Sequence, residues 1–141
     1  MNQEKIERML EMANWAPTHK DTEPWRYNVY EGNQMDKLLD LIADLYVRNT
    51  TVQEYKQGKV QVIQDRKKQV SHLLVISMHK SELVPEFEEI SAVAMAVQNM
   101  WLYLAQFDDI GAYWSTPKEV FTTEFHDYVG LESNERVLGV F

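Results

Sequence analysis

The segment Ala16-Pro17-Thr18-His19-Lys20-Asp21-Thr22-Glu23-Pro24-Trp25-Arg26 holds the densest set of groups able to do chemistry in this chain. An ordinary connection draws on Gly, Asn and Ser and needs no tryptophan. Pro17 and Pro24 each fix φ and remove a donor, so the loop between them is held in one shape. A stiff loop that carries an imidazole, His19, beside unpaired backbone amides can bind an anion or a flat polar ring. A structural corner around a buried tryptophan accounts for the same residues equally well on shape alone. Trp15 and Glu23 flank the same place.

A second candidate is Trp114-Ser115-Thr116, followed by Pro117. Small hydroxyls at a strand end leave amides that can bond a ring carbonyl. Ser or Thr before Pro is also a common helix opening, so the residues alone leave both readings open. Other chemistries lack their groups. There is no cysteine, hence no thiolate nucleophile and no disulfide framework. His72, His79 and His126 show no ligand spacing, and Glu86, Glu88 and Glu89 are not followed by a helix-phased histidine, which argues against a metal site. Neither a glycine-rich nucleotide loop nor a Gly-x-Ser-x-Gly elbow occurs. A chain without a nucleophile–base constellation suits chemistry carried by a bound cofactor.

Several elements must position these groups. Apolar residues at three- and four-residue spacing predict a helix from Glu4 to Trp15, stopping before Pro17. Alternation predicts a strand over Arg26–Glu31, closed by Gly32, and a second amphipathic helix spans Gln34–Val47. Residues 48–71 are polar and locally basic, with Lys56, Lys59, Arg66, Lys67 and Lys68. They read as an exposed helix or mobile loop, either a lid over a site that receives a phosphorylated ligand or a plain solvated face. The apolar run Leu73–Met78 predicts a strand buried on both faces. Pro85 and the following acids open a helix over 86–107 that is apolar nearly all round. Such a helix needs cover on several sides, which in so small a chain predicts a partner subunit. A short strand at Ala112–Ser115, a helix at Lys118–Val129 and a strand at Arg136–Phe141 complete the expectation.

The 141 residues are enough for one domain with a core, and 45% hydrophobic with 26% charged residues is ordinary for a globular protein. A net charge of −8 argues against a nucleic-acid partner, since phosphate binding needs a basic face. The apolar stretch from Ile90 to Leu104 is interrupted by Ser91, Gln98 and Asn99 and is shorter than the roughly 20 residues of a membrane span. No membrane partner is expected. The lack of cysteine fits a cytoplasmic location.

Ala-Pro-Thr-His…Glu-Pro-Trp-Arg, then Glu-Glu-Ile-Ser-Ala-Val-Ala-Met-Ala-Val-Gln-Asn-Met-Trp-Leu, then Gly-Ala-Tyr-Trp-Ser-Thr, occur in that order along residues 1–141. Together they resemble the nitroreductase family of FMN-dependent oxidoreductases, in its small single-domain bacterial branch. The resemblance implies an α+β fold with a mixed central sheet flanked by helices, and a long buried apolar helix. It implies FMN as cofactor, NAD(P)H as reductant, and a nitroaromatic, quinone or enone as the small-molecule acceptor. It implies a homodimer with the flavin sites at the interface. The flavin-contacting positions it carries over are Trp15, His19, Glu23, Trp114, Ser115 and Thr116. Glu23 departs from the pattern, since many relatives have glutamine there. No catalytic side chain is assigned. The family pattern also includes an Arg-Arg-Ser type segment that holds the flavin phosphate and a continuation past the last strand. Neither occurs in residues 1–141, so the expectation is a single domain truncated at both ends. A non-enzymatic scaffold with weak or no flavin binding is the alternative.

Overall fold

The computed structural model describes residues 1–141. Helix α1 (Gln3–Ala13) is capped by Asn2, whose side chain accepts from the Lys5 amide at 3.0 Å. Strand β1 (Trp25–Glu31) runs directly into helix α2 (Gly32–Asn49), with Gly32 at φ 50 as the elbow between them. Helix α3 (Lys59–Gln69) follows an exposed stretch at residues 51–58. Strand β2 (His72–His79) and helix α4 (Glu86–Leu104) come next, then helix α5 (Thr123–Val129) and strand β3 (Glu135–Val140).

The three strands form one sheet in the order β1-β2-β3, and both pairings are antiparallel. The architecture is α+β as expected, but the sheet within this chain is antiparallel throughout rather than mixed. The expected strand at 112–115 is also absent. Only Ser115 bridges to Val140, because Tyr113 points to solvent and Pro117 has no amide to donate onward. The expected helix over 118–129 is split. Lys118–Phe121 forms a short 3-10 turn, and Thr122, in extended conformation, accepts from the Phe125 amide and starts α5 afresh.

Strand periodicity divides the core. On β2, Leu74, Ile76 and Met78 face one side and Leu73 and Val75 the other, and residues 73–78 are all buried. The first side packs under α1 and α4 through Met9, Ala13, Val93, Ala96, Val97 and Met100. The second packs under α2, α3 and α5 through Leu38, Leu39, Ile42, Ile63 and Phe125. Helix α4 therefore buries one face in this layer. Its other face leaves Phe87, Ile90, Met95, Trp101 and Leu102 exposed, although they are apolar.

Candidate functional site

The loop between α1 and β1 is fixed at every turn. Trp25 Nε1 donates to Asn14 Oδ1 at 3.0 Å, closing the base of the loop. The His79 amide donates to the Pro24 carbonyl at 2.8 Å. Thr22 Oγ1 donates to Glu89 Oε2 at 2.7 Å, and Lys20 Nζ donates to the Leu83 carbonyl at 3.0 Å. His19 Nδ1 lies 2.6 Å from Glu88 Oε2. A carboxylate only accepts, so Nδ1 carries the proton and Nε2 is left free of this contact. Lys20, Asp21 and Glu23 adopt φ of 55, 51 and 42, a left-handed region that costs non-glycine residues roughly 1 kcal/mol or more each. Three such residues in one loop are retained only where the surroundings overdetermine them, which is characteristic of binding loops. Glu89 is 1% exposed and its Oε1 has no partner. Trp15 stands 75% exposed just outside this loop, and the Glu23 side chain is also exposed.

The second candidate segment lies elsewhere. Ser115 donates its amide to the Val140 carbonyl at 2.8 Å and accepts from the Val140 amide at 2.9 Å. The expected free amide at Ser115 is thus consumed by the sheet. Its hydroxyl, and that of Thr116, make no hydrogen bond within the chain and remain available. Trp114 Nε1 is buried without a partner, against Gly139. Phe141, just past Val140, packs edge-on to Trp101 in the last turns of α4, at 5.7 Å between ring centroids. His19, by contrast, sits on Glu88 in the first turn. At 1.5 Å per residue, Glu88 and Trp101 lie about 20 Å apart along the helix. Within one subunit the two halves of the expected site therefore occupy opposite ends of α4.

A cavity of about 800 Å³ opens beside Ser115. Its walls include Met9, Leu74, Leu104 and Phe141, and two cationic side chains reach it, Lys5 and Arg66. Lys5 Nζ stands 4.0 Å over the Phe107 ring, and Arg66 makes no ion pair. The sequence pointed to the basic stretch that holds Arg66 but not to this residue. Its neighbours Lys67 and Lys59 are taken up by Asp40 at 2.6 Å and Glu119 at 3.5 Å, which dock α3 on the body, and of the α3 cations Arg66 lines the cavity. Lys5 carried no sequence signal beyond its place on α1. His19, Trp114 and Thr116 do not line this cavity.

The cavity fits a flavin in size and lining. Pockets for ligands of this class run to roughly 300–1,000 Å³, mostly apolar with a few placed polar groups. Aliphatic walls suit a flat aromatic ring, the Ser115 hydroxyl can bond a ring edge, and Arg66 and Lys5 match a phosphate or negative charge on the ring.

A family model described as the nitroreductase family matches residues 1–141. YfhC of Bacillus subtilis (strain 168), which bears the name of an NAD(P)H nitroreductase, is 29% identical over 140 residues, covering 94% of this chain and 68% of its own. A nitroreductase-like family protein from Bacillus cereus superposes with a TM-score of 0.81 at 23% identity, over 99% of this chain and 72% of that one. The FMN-dependent nitroreductase NfnB of Mycobacterium smegmatis, solved in complex with NADPH, gives a TM-score of 0.73 at 17% identity, over 99% and 76%. No helix in the structure is long and apolar enough to cross a membrane.

Proposed function

The chain belongs to the nitroreductase family, and from that premise we propose that it is an FMN-dependent oxidoreductase acting as a homodimer. Its reductant is NAD(P)H and its acceptor a nitroaromatic, quinone or enone. The observation that carries this reading is the cavity of about 800 Å³ in which the Ser115 hydroxyl and the unpaired Arg66 meet an apolar wall. FMN, once bound, would supply the redox chemistry between the nicotinamide and the acceptor.

The chain's own residues bind and orient. Arg66 and Lys5 would hold the anionic part of the flavin, and the Ser115 hydroxyl would bond its ring edge. Met9, Leu74 and Leu104 exclude water from the apolar side. His19, fixed by Glu88, offers Nε2 as a further contact, but at the far end of α4. A two-fold dimer resolves this separation. The apolar residues left exposed on α4, from Phe87 to Leu102, form one stripe that a second α4 running antiparallel would cover. That pairing lays the Glu88 end of one helix over the Trp101 end of the other. It carries the His19 loop of one subunit to the Ser115 cavity of its partner, so each flavin site is built from both chains.

Titration of the purified chain with FMN, followed by NAD(P)H oxidation in the presence of a nitroaromatic and a quinone, tests the proposal. Saturable binding with turnover of at least one acceptor supports it. An absence of saturable binding favours the scaffold alternative.

A further inference from the structure

The cavity is also lined by Ser71 and His72, which the flavin reading leaves unused. Ser71 Oγ lies 2.9 Å from His72 Nδ1, and His72 Nε2 lies 3.1 Å from Glu31 Oε2. Strand register creates this chain, since Glu31, last in β1, is the direct partner of His72, first in β2. The His72 side chain is 8% exposed and that of Glu31 68% exposed. A hydrogen-bonded path thus leads from Glu31 at the surface, through an enclosed imidazole, to the Ser71 hydroxyl, which lines the mouth of the cavity and is itself exposed. With Nδ1 donating to Oγ, the hydroxyl proton of Ser71 is free to point into the cavity.

We propose that Ser71, His72 and Glu31 form the relay that delivers the proton consumed in each turnover, a role that rests on the flavoenzyme reading above. The overall reaction requires such a proton. A quinone plus NAD(P)H plus H⁺ gives the hydroquinone plus NAD(P)⁺. A nitro compound plus NAD(P)H plus H⁺ gives the nitroso compound, NAD(P)⁺ and water. In either case the Ser71 hydroxyl gives its proton to an acceptor oxygen as electrons arrive, and the Nδ1 proton of His72 moves to Oγ. The Glu31–His72 pair shares one further proton across its 3.1 Å contact, and this proton ends on Nε2, so that no imidazolate forms. Solvent restores the spent proton after the product leaves.

Ferricyanide isolates this step, because two ferricyanide ions take both electrons of NAD(P)H and no proton. The test measures NAD(P)H-driven reduction of benzoquinone and of ferricyanide by the FMN-loaded chain, for the wild type, His72→Gln and Ser71→Ala. The relay predicts that the ratio of quinone to ferricyanide turnover falls at least about tenfold in both variants. A second readout needs no flavin. In the histidine-labelled chain, Glu31→Gln shifts the Nε2 resonance of His72 and Ser71→Ala shifts its Nδ1 resonance. Equal loss with both acceptors, or an unchanged ratio, reduces these residues to structural groups and overturns the relay. Ring resonances indifferent to both substitutions overturn it as well. A wild-type chain that binds FMN yet reduces neither acceptor overturns the flavoenzyme reading, and the relay with it.

Discussion

Gly139 sits directly against Trp114: a β-carbon built on Gly139 would meet Trp114 Nε1 at 2.4 Å and the Ser115 carbonyl at 2.6 Å. Gly139 also has φ 146, which side-chain-bearing residues rarely adopt. The β3 backbone therefore sets where Ser115 enters the cavity. Gly139→Ala is expected to destabilise the chain by about 3 kcal/mol and to weaken FMN binding by displacing Ser115. Denaturant unfolding and FMN titration check the two effects. Wild-type values in both would break the link between β3 and the site.

Arg66 makes no ion pair within the chain, so its loss costs the fold little. Arg66→Ala is expected to leave the unfolding midpoint within experimental error and to weaken FMN about thirtyfold, the value of one charged hydrogen bond of about 2 kcal/mol. FMN affinity should also fall with added salt, and less steeply in the variant. Isothermal titration at two ionic strengths reads both.

The His19–Glu88 contact is exposed and adds at most about 1 kcal/mol to stability. Its role is to hold the loop. Both His19→Ala and Glu88→Gln should weaken FMN about tenfold with little change in thermal midpoint. Loss of affinity in His19→Ala alone would show that the ring matters and its orientation does not.

The open face of α4 gives the clearest association test. Met95→Asp places a charge in the middle of the proposed interface, where desolvation is costly. Sedimentation at micromolar concentration should show a dimer for the wild type and a monomer for the variant, which should also lose FMN affinity. A wild-type monomer would remove the composite site.

Asp40 joins α2 to α3, and the hydrogen bonds from Lys67 and then Gln64 hold its carboxyl below the usual value of 3.8. A carboxylate depressed in the folded state stabilises above its unfolded pKa, and the contribution disappears as pH falls through the folded value. Asp40 is 56% exposed, so the effect is about 0.5 kcal/mol or less. Asp40→Asn should be slightly less stable at neutral pH, and the difference should close below about pH 3.8, as read from unfolding midpoints across pH.

Local chemistry made part of this legible in the sequence. The prolines and His19 marked a rigid loop, and the loop is pinned at both ends. The unbroken run Leu73–Met78 marked a strand buried on both faces, because neither face alternates to polar. The apolar circumference of α4 marked a helix with apolar residues beyond one buried face, and Phe87, Ile90, Met95, Trp101 and Leu102 are exposed. What escaped depended on distant partners. Arg66 and Lys67 are adjacent cations, and only the position of Asp40, on another helix, decides which of them is left for the cavity. The amide of Ser115 looked free until Val140 claimed it. The separation of His19 from Ser115 follows from α4 spanning the subunit, which no local pattern encodes.

In the proposed dimer each flavin site combines the His19 loop of one chain with the Arg66–Ser115 cavity of the other. Differently tagged His19→Ala and Arg66→Ala chains, co-expressed and purified through both tags, test it directly. In the mixed dimer one site carries both lesions and the other carries neither. Fluorescence titration should therefore find one FMN site of wild-type affinity per dimer, although each parent dimer has none. A mixed dimer with no such site would place both residues in the same chain's pocket and contradict the composite site.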